Sequence, residues 1–133
     1  SFHPFEAGQN VEAVEKAIVG HPYAKVVRLD SLDIISAADL VLGQHSTVAL
    51  ESIALNVPYA EIDLDNHGIL QSLADEGITF SIRAGELDEI TKILSGKKKL
   101  APDPIEAWRR QNLGPQDGRS TERAVRAIES LLQ

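Results

Sequence analysis

Apolar and polar positions alternate along the chain in two periods, one of a helix and one of a strand. Val11, Val14, Ile18 and Val19 recur at helical spacing between Gln9 and Val19, and Gly20 follows as a stop. Lys25 to Leu29 is short and β-branched, the composition of a strand. Ser31 is placed to cap a brief helix from Leu32 to Ala38, and Asp39 to Gly43 reads as the clearest buried strand, apolar on both faces. Ser46 or Thr47 then caps a helix that carries Glu51 and runs to about Leu55, where Asn56 and Val57-Pro58 end it. Tyr59 to Leu64 is a strand, and Ile69 to Asp75 a helix stopped by Gly77. Ile78 to Arg83 is the next strand, and Glu86 to Ser95 the next helix, stopped by Gly96. Lys97-Lys98-Lys99 opens a solvated surface connection, and helices over Pro104 to Asn112 and Ser120 to Leu132 complete the chain. Trp108 shares the first of these with Ile105 and is expected to pack on the domain.

Four or five strands alternating with helices predict βαβ units, and so a three-layer, Rossmann-like α/β domain with a parallel sheet. The first apparent strand would end at Phe2 or His3. At 133 residues, 43% of them hydrophobic and 25% charged, the chain has the make-up of one globular domain, residues 1–133. It lacks methionine altogether, which suggests a piece excised from a longer protein.

Charge and cysteine content narrow the function. A net charge of −7 argues against broad binding to nucleic acid or anionic lipid, yet leaves room for a phosphate site made of backbone amides. With no cysteine, there is no disulfide, thiolate zinc site or cysteine nucleophile. No apolar run is long enough for a transmembrane segment, and the N-terminus has no signal-peptide pattern, so a cytoplasmic location is expected.

Ligands of parallel α/β sheets bind beyond the carboxyl ends of the strands. That rule selects four segments: His3 to Glu6, Gly43 to Thr47, Asp63 to Gly68 and Gly114 to Ser120. In the second, Gly43 permits a sharp turn after the strand, His45 precedes the cap, and Ser46 and Thr47 set hydroxyls beside the free amides of the next helix. This is the make-up of a phosphate site and equally of an ordinary helix cap. His3 would stand at the sheet's carboxyl edge as a phosphate donor or general acid, or else lie exposed near a frayed terminus. In the last segment Asp117-Gly118 sets a tight turn and Ser120 and Thr121 can cap the final helix. Arg119 and Arg123 either face the same anion across the cleft, or Arg123 pairs with a surface carboxylate. Asp63, Asp65 and His67 fit no metal template, and no metal or cofactor is expected. No Gly-x-Gly-x-x-Gly, P-loop or Gly-x-Ser-x-Gly pattern occurs.

The block from Ala38 to Pro58 — Asp39, an apolar strand, a polar turn ending in Ser46-Thr47, a helix with Glu51, then Pro58 — follows His3-Pro4 and precedes Asp117-Gly118-Arg119-Ser120-Thr121-Glu122-Arg123. In that order the three blocks resemble the nucleotide-binding C-terminal half of GT-B-fold glycosyltransferases. They are most similar to the CDP-glycerol glycerophosphotransferase and capsular polysaccharide group. The turn itself reads Gly-Gln-His-Ser-Thr, where teichoic-acid enzymes have Thr-Asp-Tyr-Ser-Ser. The resemblance implies that Ser46 and Thr47, in the turn with Gly43 and His45, hold the phosphates of a nucleotide-sugar or nucleotide-alditol donor. Glu51 would meet the ribose hydroxyls, and His3 the diphosphate or leaving group. Asp117, Gly118, Ser120 and Arg123 would close the nucleotide side. It further implies an N-terminal acceptor domain, absent from this chain, that supplies the acceptor site and catalytic base. Two other readings stand beside it: half of a sugar-nucleotide epimerase or hydrolase, and a non-catalytic α/β interaction domain.

Overall fold

The computed structural model describes residues 8–44, 46–63 and 71–132. It is a mixed α/β structure with seven helices and a three-stranded parallel sheet among the described residues. In order these are α1 (Gly8–Ile18), α2 (Ser31–Ser36), β1 (Val41–Gly43), α3 (Val48–Ala54), β2 (Tyr59–Asp63), α4 (Gln71–Asp75), β3 (Phe80–Arg83), α5 (Asp88–Leu94), α6 (Pro102–Asn112) and α7 (Ser120–Leu131). Among the described residues, no helix is long and apolar enough to cross a membrane.

The chain divides into two compact units, one up to Ile34 and the other from Ile35 onward. In the first, α1 leaves Val11 and Ile18 half-buried and Val14 exposed, and Gly20 ends the turn after it at φ +85°. Residues 25–29, expected as a strand, form none. Val26 and Val27 are half-buried, but no described strand pairs with them, and a strand is held by its neighbour's ladder rather than by its own composition. The cap of α2 also differs from expectation. Asp30, not Ser31, accepts the Leu32 amide through Oδ1 at 2.9 Å, and Ser31 is the first helical residue.

In the second unit the strands run in the order β1-β2-β3, all parallel, with Val41 beside Tyr59, Gly43 beside Glu61, Ala60 beside Phe80 and Asp63 beside Arg83. The middle strand is therefore β2 and not the more apolar β1, whose Leu42 is 42% exposed. Two helix ends steer the chain into this sheet in the same way. After α3, Asn56 turns left-handed at φ 59°, its N–H donates to Ile53 C=O, and Val57 N–H donates to Ser52 C=O at 2.9 Å. After α4, Gly77 at φ +73° donates to Ala74 C=O, and Ile78 N–H to Leu73 C=O at 2.8 Å. Both are Schellman closures, which consume the last helical carbonyls and reverse the chain toward the next strand.

Two apolar clusters hold the unit. Ala60, Phe80 and Ile82 share one sheet face and pack with Ile93 of α5, flanked by Leu40, Ile90 and Leu100. Ile53 of α3, Leu73 of α4 and Ile78 form the second, covered by Ile105, Trp108 and Leu113. Trp108 thus packs where the helical pattern put it. The Lys98 side chain stays 42% exposed. It pairs with Glu89 at 2.6 Å, its ammonium 6.0 Å from the centre of the Phe80 ring.

Candidate functional site

Because all three strands are parallel, Gly43, Asp63 and Arg83 end at one edge of the sheet. There the turn into α3 is built by Ser46, whose Oγ accepts the Val48 amide at 3.3 Å while its carbonyl accepts the Ala49 amide. Thr47 takes the first helical backbone angles, its side chain caps nothing, and it is exposed. Glu51 lies half-buried in the first turn of α3. Gly43, Ser46, Thr47 and Glu51 therefore belong to one strand–turn–helix unit, as expected. His3, His45, Asp65 and His67 lie outside the described residues.

Gly43 has a second reason to be glycine. A Cβ there would lie 3.1 Å from Cζ and 3.2 Å from Cε2 of Tyr59, with the phenol oxygen nearer still. Tyr59 starts β2 and, with Glu61 and Asp63, points to the sheet face opposite Ala60 and Ile62. All three are almost wholly buried, at 1%, 2% and 8% exposure. Burial, reinforced by the Glu61 carboxylate, pushes the Tyr59 phenol up to about 12, so it remains a proton donor. The Tyr59 hydroxyl, Asp63 Oδ1, Ser52 Oγ and Thr79 Oγ1 are buried with no hydrogen-bond partner among the described residues. Such a concentration of unmatched polar atoms is unusual for a protein interior. Tyr59 and Glu61 were not among the candidates picked out by motif. The signal available for them was the alternation of polar residues at 59, 61 and 63 within an otherwise apolar strand.

The other candidate group closes on itself. Arg123 Nη1 donates to both Asp117 oxygens at 2.8 and 2.9 Å, and Nη2 donates to Pro115 C=O and Ser120 Oγ, each at 3.1 Å. Asp117 Oδ1 also accepts the Arg119 amide at 3.0 Å across the turn at Gly118, whose φ is +71°. These bonds, the Arg123 guanidinium first, hold the Asp117 carboxyl below its usual range. Of the two arrangements open for Arg123, pairing with a carboxylate is the one adopted, and Asp117 is that carboxylate. Glu122 binds both Arg119, at 2.8 and 3.0 Å, and Arg126. No side chain caps α7, so Ser120 and Thr121 do not play the capping role their identity suggested.

Among the described residues, no group of three or more His, Cys, Asp or Glu is arranged to hold a metal ion. Among the described residues at this edge, the exposed Thr47 and the half-buried Ser46 carry hydroxyls that can hydrogen-bond a hydroxylated or phosphorylated ligand, while Tyr59, Glu61 and Asp63 are buried. No protein-family model, curated protein or solved structure matches the chain.

Proposed function

We propose that this chain is the donor-binding half of a cytoplasmic GT-B-like glycosyltransferase or glycerophosphotransferase, a Rossmann-like domain that takes a nucleotide-sugar or nucleotide-alditol. The observation that carries the reading is the placement of Gly43, Ser46 and Thr47 between β1 and α3 at the carboxyl edge of the parallel sheet. Parallel α/β sheets place ligands at this edge. In this reading the amides and hydroxyls of Ser46 and Thr47 receive the diphosphate, with His45 beside them. Glu51 takes the ribose hydroxyls, and His3 assists the departing nucleoside diphosphate. An N-terminal acceptor domain supplies the base, so the chain alone binds donor weakly and transfers nothing.

The test is a calorimetric titration of the chain with CMP, CDP, UDP, GDP and the matching nucleotide-sugars at fixed salt. Selective binding that weakens at least about tenfold in Ser46→Ala, the loss of one hydrogen bond to a charged group, supports the reading. Equal binding by wild type and Ser46→Ala, or no binding by a folded sample, counts against it.

A second reading, the non-catalytic interaction domain, is favoured by the clasp between Asp117 and Arg123, which occupies the groups meant for the nucleotide. An Asp117→Ala variant separates the two. Weakened nucleotide binding fits the donor site, and unchanged behaviour fits the structural role.

A further inference from the structure

A hollow of the second unit lies at the other edge of the sheet. Pro58 and Phe80 line it at the amino ends of β2 and β3, and the chain from Gly96 to Pro102 runs along it between α5 and α6. Its volume is about 660 Å³, within the range of small-molecule sites. The apolar lining comes from both hydrophobic clusters: Ile53, Ile78 and Ile105 from one, Phe80, Ile93 and Leu100 from the other. The cavity is thus a gap in the seam where the two clusters meet around the sheet's edge.

Its charged groups are not balanced. Lys98 is paired with Glu89, which lies outside the lining, and Glu106 is shared between Arg109, inside the lining, and Arg110 at 3.0 Å, outside it. Asp103 sits in the first turn of α6, where the helix dipole offsets its charge. Lys99 has no ion pair among the described residues. Arg109 is 20% exposed and fastened by Nη2 to Ala54 C=O at 2.8 Å, 3.5 Å from Glu106, with a buried Nε–H that has no acceptor. Lys99, and Arg109 with its share in Glu106, therefore border an apolar hollow that Asp103 also lines.

We infer that this cavity binds a small amphipathic monoanion, an acyl or aryl carboxylate whose apolar body fills the seam between the clusters and whose carboxylate faces Lys99 and Arg109. A free metabolite is meant, not a membrane surface, since the hollow is a pocket in a chain of net charge −7.

The experiment follows amide shifts of the chain with octanoate, octanol, octylammonium and acetate, all below micellar concentration. Expected are saturable octanoate shifts confined to residues 56–58, 78–80 and 96–105, and affinity for octanol lower by about tenfold, the worth of one charge-assisted hydrogen bond. Octylammonium and acetate are expected not to bind. Lys99→Gln should weaken octanoate alone, and Asp103→Asn should strengthen it. Arg109→Gln should weaken it as well, and because it also frees Ala54 C=O, Lys99 and Asp103 carry the test if that variant unfolds. The inference is overturned if octanoate and octylammonium bind alike, if the shifts scatter over the fold, or if no octanoate binding occurs.

Discussion

The Tyr59 phenol covers the Cα of Gly43, two residue pairs along the β1–β2 ladder from its own partner Val41. This contact couples the central strand to the turn that enters α3. Gly43→Ala forces a methyl group to within van der Waals overlap of the ring and is expected to destabilise the fold by about 1–3 kcal/mol in urea unfolding. In Gly43→Ala with Tyr59→Phe the closest atom is gone, so the double variant should be more stable than the sum of the two effects predicts. Strict additivity would show that the ring does not rest on Gly43.

Tyr59→Phe alone removes a buried hydroxyl that has no partner. Stability near pH 7 should stay within about 1 kcal/mol of wild type, or rise. The pH dependence is the sharper test. A phenol raised from 10.0 to about 12 stabilises the fold fully below its ordinary value, and that contribution disappears as pH rises through about 12. The alkaline fall in the urea midpoint should therefore be smaller in Tyr59→Phe than in wild type. Identical profiles would remove Tyr59 as its source.

Glu89 works in the opposite direction. Its hydrogen bonds to Lys92 at 2.5 Å and Lys98 at 2.6 Å hold the carboxyl at about 2, down from 4.5. The stabilisation is present above the ordinary value and is lost as pH falls from about 4.5 toward 2. In Lys98→Ala, a carboxyl-detected NMR titration should show the Glu89 midpoint moving up toward 4.5. A midpoint unmoved by the substitution would mean the pair is not formed in solution.

The clasp of Asp117 on Arg123 is exposed, so its loss should be felt locally. Arg123→Gln is expected to speed amide exchange at residues 117–123 while changing global stability by less than about 1 kcal/mol. A larger global loss would mean α7 is needed by the core.

Ile53 is 3% exposed and central to the cluster beneath Trp108. Ile53→Ala should cost about 2–5 kcal/mol. Trp108, the chain's single tryptophan, should then emit further to the red as water reaches the cluster. Unchanged emission and stability would contradict the packing.

Several of these features were legible without coordinates because they are decided within a few residues. Asn56 before Val57-Pro58, and Gly77 and Gly96, each end a helix where the backbone must turn to positive φ, and the structure ends α3, α4 and α5 there. The turn from Gly43 through Ser46 into α3 and the packing of Trp108 with Ile105 were equally local, one set by hydroxyl and amide spacing and the other by helical period.

Other features depended on distant partners. Residues 25–29 have strand composition, but a strand exists only where another ladder lies beside it. Asp39 to Gly43 looked central by its apolar run, yet the middle place belongs to the strand holding Glu61 and Asp63. Side-chain polarity could not show that α3 and the neighbouring strands would enclose those carboxylates. Nor could spacing say whether Asp117 and Arg123 would meet a ligand or each other, since both outcomes use the same donors and acceptors. By itself, then, the sequence determined where helices stop and that the strands alternate with helices. Only the tertiary structure decided which strand is central, which acids are buried and which charges are already paired, because burial and pairing are set by neighbours far apart in the chain.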